Sequence, residues 1–169
     1  MSDIDLQDIL KNIDIKADWI GLRKVQEKTT YRIIRDGNPQ ANIQDFSKGI
    51  MVEVFAEGQF GYYGSCNIDS KSIRFAAEQA LIQAKSAAKN PIFNFSLNVR
   101  PVTKGNFKSP FIKSAESIDA GKLNEILLKA YNQLKINNKI VSASAMAMII
   151  ESEFHYVSSN GSDVKQEFL

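Results

Sequence analysis

Histidine and cysteine, the side chains that most often serve as metal ligands or nucleophiles, each occur once in this sequence of 169 residues. His155 alternates with aromatic neighbours, which is typical of a strand and not of the helix on which a metal motif would lie. Cys66 comes just before a helix-like segment, where a helix N-terminus could activate a thiol. A lone small residue at such a junction is more typical of packing. We therefore predict no catalytic residue, no cofactor-binding residue and no metal ligand in this chain.

Two charged pairs are further candidates. Glu151 and Glu153 share one face of a predicted strand, as solvated carboxylates at a sheet edge commonly do. Arg32 and Arg35 flank two isoleucines and could hold an anionic ligand or a partner, although their spacing also suits ordinary surface positions. Neither pair predicts a reaction.

Four of the nine glycines lie in GIMVEVFAEGQFGYYG, residues 49–64, directly before a helix-like segment. A phosphate-binding loop needs Gly-x4-Gly-Lys-Ser/Thr or Gly-x-Gly-x-x-Gly, whereas the glycines here fall at positions 58, 61 and 64. The alternation of apolar residues on both sides of Glu57-Gly58 predicts a hairpin instead. We expect the later glycines to allow close packing of aromatic neighbours, and we expect no nucleotide cofactor.

The periodicity of the first ninety residues predicts helices at both ends with strands between them. A short amphipathic helix is expected over residues 4–12 and strands over residues 17–26, 29–35, 41–46, 50–56 and 59–64, with a turn at Asp36-Gly37-Asn38-Pro39. A helix over residues 71–89 is capped by Asp69 or Ser70. Its predicted buried stripe is Ile73, Ala76, Ala77, Ala80, Leu81, Ala84 and Ala88.

Residues 91–116 contain three prolines and predict an irregular connection between two units. A helix then begins at Ser117 or Asp119, with Leu123, Ile126, Leu127, Ala130, Tyr131 and Leu134 on one face. A strand over residues 140–150 and a hairpin around Asn160-Gly161 follow. We expect that the chain was cut inside its last strand, residues 164–168, and that the unpaired edge of this strand promotes self-association.

These elements predict an α/β fold of the α+β type: an antiparallel sheet of about four or five strands with packed helices, followed by the start of a second α/β unit. The predicted divisions are residues 1–90, a connection at 91–116 and the beginning of the second region at 117–169.

Composition excludes several classes of protein. Hydrophobic residues make up 44% and charged residues 24%, as in ordinary globular domains, and a net charge of +2 does not favour a nucleic-acid partner. The N-terminal sequence has no signal-peptide pattern, and no apolar run reaches the roughly 18 residues of a membrane span. With a single cysteine, the chain suits a reducing compartment, and we expect a cytoplasmic location.

The order of four short motifs resembles the N-terminal domain of the TldD/PmbA family, also described as modulators of DNA gyrase. The motifs are ADW at residues 17–19, TTYRIIRDG at 29–37, GIMVEV at 49–54 and GQFGYYG at 58–64, followed by the alanine-rich helix. The later helix, the strand from residue 140 and residues 154–161 resemble the start of the family's second region.

This resemblance implies a cytoplasmic metallopeptidase that acts on unstructured peptides as a homo- or heterodimer. In metal-bearing members a His-Glu-x-x-x-His helix and a later cysteine hold zinc, and the glutamate is the general base. This sequence contains no such motif, so the resemblance implies a scaffold and dimerisation part, inactive alone, with zinc in the C-terminal region of the parent protein. The alternative is a free-standing, non-enzymatic protein-interaction module.

Overall fold

A computed structural model describes residues 4–169 as a six-stranded sheet with three α-helices, which confirms the predicted fold class. The strand order is β3-β2-β1-β5-β6-β4. In chain order the elements are α1 (Leu6–Lys11), β1 (Trp19–Arg35), β2 (Asn38–Ala56), β3 (Gln59–Ser65), α2 (Ser70–Ala88), β4 (Lys104–Lys108), α3 (Ala120–Leu134), β5 (Ser144–Ser158) and β6 (Asp163–Phe168), with 3₁₀ turns at Leu97–Val99 and Ala115–Ser117.

The strands are longer and fewer than the sequence predicts. β1 runs for 17 residues and β2 for 19, so the expected breaks between residues 26 and 29 and between 46 and 50 do not occur. β5 likewise joins the two strands that were predicted over residues 140–150 and 154–158. Polar residues at these places predict strand ends. A strand needs only backbone partners to continue, however, and its side chains can remain in solvent.

The predicted turns at Asp36-Gly37 and Glu57-Gly58 are confirmed. Asp36 and Gly37 have φ values of 50° and 80°, and Glu57 and Gly58 have 54° and 79°. Positive φ at two successive residues is the requirement of a type I′ turn, whose twist matches that of the flanking strands. The stretch at residues 49–64 is therefore a hairpin, with Val54 opposite Gly61 and Phe55 opposite Phe60.

The chain forms two compact units that alternate along the sequence. Unit 1 comprises the chain up to Gln26, Lys48–Phe107 and Glu153–Gln166; unit 2 comprises Glu27–Ser47, Lys108–Ser152 and Glu167–Leu169. The linear division at residues 91–116 stays a prediction, since these units follow contacts in space rather than order in the chain.

The core of unit 1 lies between the sheet and α2. The helix begins after Asp69, whose carboxylate accepts a hydrogen bond from the backbone N–H of Ser72 at 2.9 Å. Five of the seven residues of its predicted stripe are fully buried, namely Ile73, Ala76, Ala77, Ala80 and Ala84, whereas Leu81 and Ala88 are only partly buried. The stripe packs against strand residues that include Leu22, Val52, Val54 and Val157. Alanine at these positions lets the helix lie close to the sheet.

Gly61 lies at this close approach. A Cβ there would be 1.9 Å from the carbonyl oxygen of Ala80 and 2.8 Å from the backbone nitrogen of Ala84. The predicted reason for this glycine, aromatic neighbours, is therefore wrong, because the close neighbour is the backbone of α2.

The core of unit 2 is smaller. Leu127 and Tyr131 on α3 are buried against Ile34 and Ala145, whereas Ile126 and Leu134, which were predicted on the same face, are exposed. Asp119 caps α3 by accepting a hydrogen bond from the backbone N–H of Lys122 at 2.9 Å.

β6 is not an edge strand. β4, inside the segment predicted to be irregular, lies beside it, and the backbone N–H of Ser109 donates to the carbonyl oxygen of Glu167 at 2.9 Å. The expectation that residues 164–168 expose an unpaired edge is therefore wrong. Because Pro101 and Pro110 lie on either side of β4, the sequence pattern does not predict this five-residue strand.

Candidate functional site

The structure places the lone histidine and cysteine in different surroundings. His155 Nε2 lies 3.0 Å from Asp163 Oδ1, so a carboxylate does accompany the histidine, brought across the β5–β6 hairpin rather than by local spacing. Cys66 is exposed after β3. Within residues 4–169, no three His, Cys, Asp or Glu side chains come together as a metal site. These residues do not fit a catalytic zinc ion.

The charged residues singled out in the sequence contact different partners. Glu151 pairs with the ammonium group of Lys28 at 3.2 Å, while Glu153 accepts a hydrogen bond from the side chain of Gln26 at 3.3 Å. Arg32 Nη1 lies 3.4 Å from the side-chain oxygen of Asn124. Each carboxylate therefore contacts a side chain of β1.

The most developed polar site lies in unit 1, on the sheet face opposite α2, which we call the second face. Alternation along each strand assigns it Trp19, Gly21 and Arg23 from β1, Met51, Glu53 and Phe55 from β2, Phe60 and Tyr62 from β3, and Tyr156 from β5. The indole ring of Trp19 lies over Gly21, since a Cβ at Gly21 would come within 2.6 Å of it. Because Gly21 has no side chain, the Trp19 ring can lie against the strand backbone at this position.

Phe60 is the centre of the aromatic part of the second face. Its ring centroid lies 4.7 Å from that of Phe55, 6.1 Å from Trp19 and 5.6 Å from Phe95. Phe95 comes from the segment after α2, which is held where its backbone N–H donates to the carbonyl oxygen of Gly58 at 2.9 Å. This segment covers part of the face and leads to Arg100.

Arg100 forms an ion pair with Glu53, whose side chain is almost fully buried although it lies on a strand face without a helix. Both carboxylate oxygens of Glu53 accept, one from Arg100 Nη2 and the other from Nε at 3.3 Å. The guanidinium carbon lies 4.9 Å from the ring centroid of Phe60, and the carbonyl oxygen of Arg100 accepts from the side chain of Asn160 at 2.9 Å. The hydrogen bond to Glu53 raises the pKa of Arg100, so the guanidinium group remains charged.

Beside this ion pair is a cavity of about 150 Å³. Its lining consists of Gly21, Arg23, Met51, Glu53, Tyr62, Arg100 and Tyr156. Burial raises the pKa of Tyr62 and of Tyr156, so both phenols keep their protons at neutral pH. The guanidinium of Arg23 lies over the Tyr156 ring, 5.8 Å from its centroid. Cations and phenolic hydroxyl groups are suited to binding an anionic group.

The sequence patterns did not predict this site. The strand alternation places Arg23, Glu53 and Tyr62 on one face, a signal that was available. Arg100 could not be predicted, because it lies in the segment whose sequence predicts an irregular connection and it contacts Glu53 across 47 positions of sequence.

Comparisons with known proteins agree with the fold. Residues 22–84 match the model of a family described as PmbA/TldA metallopeptidase domain 1. TldE from Thermococcus kodakarensis has a TM-score of 0.69 at 14% identity, covering 96% of this chain and 36% of that protein. A protein from Bacteroides thetaiotaomicron, described as a candidate modulator of DNA gyrase, has a TM-score of 0.71 at 15% identity. This similarity covers 95% of this chain and 36% of the Bacteroides protein. A similarly described protein from Thermotoga maritima has a TM-score of 0.64 at 11% identity. This similarity covers 89% of this chain and 33% of the Thermotoga protein.

Identities this low show a shared fold only. The chain spans about a third of the length of these solved structures. A comparison with curated proteins gives no match. None of the helices within residues 4–169 combines the length and apolar character that a membrane span needs. Residues 22–84 match the first domain of the PmbA/TldA metallopeptidase family, which confirms the resemblance predicted from the sequence.

Proposed function

We propose that this chain is the N-terminal scaffold and dimerisation part of a TldD/PmbA-type metallopeptidase that processes unstructured peptides in the cytoplasm. The observation that carries the proposal is the match of residues 22–84 to the first domain of a metallopeptidase family. The fold shared with longer proteins over about a third of their length supports it.

The residues described here do not fit zinc, so no catalytic step is assigned to them. His155 is engaged by Asp163, and Cys66 lies on a different strand end. We place the metal, and the glutamate that would act as general base, in the C-terminal region of the parent protein. The present chain then supplies a folded base and a contact surface.

Unit 2 offers a candidate dimer surface. Alternate residues of β5 face opposite sides, and Ala145 and Ala147 pack toward α3. The other side presents Met146, Met148 and Ile150, which are 58%, 57% and 38% exposed. Three adjacent apolar side chains on an uncovered strand face favour contact with a second subunit of the same family.

The catalytic part of the proposal is tested by the reading frame and by metal analysis. We expect the full-length protein to contain His-Glu-x-x-x-His, to retain stoichiometric zinc after dialysis and to cleave casein or a flexible peptide in a chelator-sensitive manner. The chain of 169 residues alone should do neither. Stoichiometric zinc with chelator-sensitive cleavage by this chain would contradict the assignment of the metal site to another region.

A natural stop codon after Leu169 would instead favour the interaction module, which would use the same exposed stripe on β5 without any peptidase region.

The dimer surface is tested separately by analytical ultracentrifugation. Met148→Lys places a charge in the exposed stripe and should weaken self-association of the chain by tenfold or more, on the order of 1.4 kcal/mol. Ile82→Lys is the matched control, because Ile82 is also an exposed apolar residue but lies on α2. Equal sedimentation of both variants and the parent chain would exclude this stripe as the dimer surface.

A further inference from the structure

The cavity on the second face of unit 1 carries more positive than negative charge. Among the described residues that line it, Arg23 and Arg100 contribute two guanidinium groups and Glu53 contributes one carboxylate. Both oxygens of that carboxylate are already engaged by Arg100. The positive charge that remains is therefore that of Arg23, an amount that balances one monoanionic group.

Arg23 is also well oriented to bind such a group. It lies over the ring of Tyr156. Contact with an aromatic face restricts the orientation of a guanidinium group without using its N–H donors, which can then bind a ligand. Tyr156 adds a phenolic group to the same lining, and Tyr62 lines the cavity with its hydroxyl group hydrogen-bonded to Glu53. A planar carboxylate accepts two hydrogen bonds from a guanidinium fork and has lone pairs left for a phenol.

The size and charge of the cavity restrict the ligand further. At about 150 Å³ it is smaller than the roughly 300–1,000 Å³ of typical small-molecule sites, so it suits one terminal group or side chain of an extended chain. A dianionic phosphate would bring one negative charge more than the lining balances, close to Glu53. These properties favour a carboxylate over a phosphate.

We propose that Arg23, together with Tyr156, binds a carboxylate group of a peptide. The source of the carboxylate is either the C-terminus of the peptide or an aspartate or glutamate side chain. The proposal deepens the proposed function, since it identifies a group of the peptide that the N-terminal part recognises. Its test measures binding alone, without zinc or cleavage.

The test titrates short peptides into the chain and follows the aromatic ring signals of Tyr62 and Tyr156 by NMR. An acetylated tetra-alanine with a free C-terminus is compared with the same peptide as its C-terminal amide. A doubly blocked peptide with a central aspartate is compared with its asparagine counterpart. In at least one of these two pairs, we expect the acid to shift both signals and the neutral form to bind at least about tenfold more weakly. The pair that shows the difference identifies the source.

Variants then test the assignment to Arg23. Arg23→Gln should weaken binding of the acid at least about tenfold, whereas Arg35→Gln, an exposed arginine on the same strand outside the cavity, should leave it unchanged. Tyr156→Phe keeps the ring beneath Arg23 and removes only the hydroxyl group, so it should weaken binding about threefold even if the Arg23 variant is poorly folded.

Three results would overturn the proposal: no binding of any acid, equal loss of binding in the Arg23 and Arg35 variants, or displacement of the acid by an equal concentration of inorganic phosphate. None of them would alter the zinc content or peptide cleavage expected of the full-length protein, so this proposal can fail without the proposed function.

Discussion

The contact between β3 and α2 provides a sharp test of the packing in unit 1. Gly61→Ala would place a methyl group 1.9 Å from the carbonyl oxygen of Ala80 and 2.8 Å from the backbone nitrogen of Ala84. Both atoms belong to the helix backbone, so no side-chain rotation can relieve the overlap. The helix would have to move by about 1.5 Å before the nearest contact became an ordinary one.

The expected cost follows from that displacement. Overpacking a core typically costs about 1–3 kcal/mol, and a shift of α2 also loosens the packing of its buried stripe. We therefore expect the upper end, about 3 kcal/mol, out of a total stability of roughly 5–15 kcal/mol. For a chain of this size, about 2–4 °C per kcal/mol corresponds to a fall in Tm of roughly 6–12 °C.

The assay is thermal unfolding followed by near-ultraviolet circular dichroism, which reports on the aromatic cluster of unit 1. Gly64→Ala is the matched control: it lies on the same strand, and a Cβ there would meet no atom within 4 Å. We expect the control to change Tm by no more than about 2 °C. An unchanged Tm for Gly61→Ala would refute the inference that the backbone of α2 requires glycine at this position.

Three further outcomes are expected. Gly58→Val should destabilise the chain by about 1 kcal/mol or more in urea unfolding, because a β-branched residue is strained at positive φ; unchanged stability would argue against the I′ turn. Hydrogen bonds from Ser72 lower the pKa of Asp69, so the contribution of Asp69 to stability should be complete above pH about 4 and lost as the pH falls through the lowered pKa. The difference in Tm between the parent chain and Asp69→Ala should therefore shrink below pH about 4, and a constant difference would contradict this. ATP and NAD should leave Tm unchanged, and a shift at low ligand concentration would show a nucleotide site that the glycine spacing does not predict.

Features determined by local chemistry could be predicted from the sequence. The turns at Asp36-Gly37 and Glu57-Gly58 need positive φ, which these residue types tolerate, and the caps at Asp69 and Asp119 follow from side-chain hydrogen bonds to the next turn. The stripe of α2 was likewise visible, because a helical period of 3.6 residues repeats several times in 19 residues.

Features that depend on distant partners could not be predicted. The polar middle parts of β1, β2 and β5 remain strands because neighbouring strands continue beside them, and the sequence of one strand does not contain that information. His155 is similar: its partner Asp163 is eight residues away, on the returning strand of a hairpin whose register decides whether the two side chains meet. β4 was hidden for the same reason, since it is defined only by pairing with β6.

Glu53 shows most clearly how a distant partner changes the meaning of a residue. Alternation along β2 places it opposite the core, where a glutamate is ordinarily solvated, yet its side chain is only 9% exposed. Burying a carboxylate is unfavourable by several kcal/mol unless a cation with good hydrogen-bond geometry accompanies it. Arg100 supplies that cation through both of its contacts, so the residues before it must lie along the second face for the charge to be compensated. The ion pair with Glu53 therefore helps to hold the segment after α2 along the second face. Because Arg100 is paired with Glu53, Arg23 is the remaining positive charge among the residues that line the cavity.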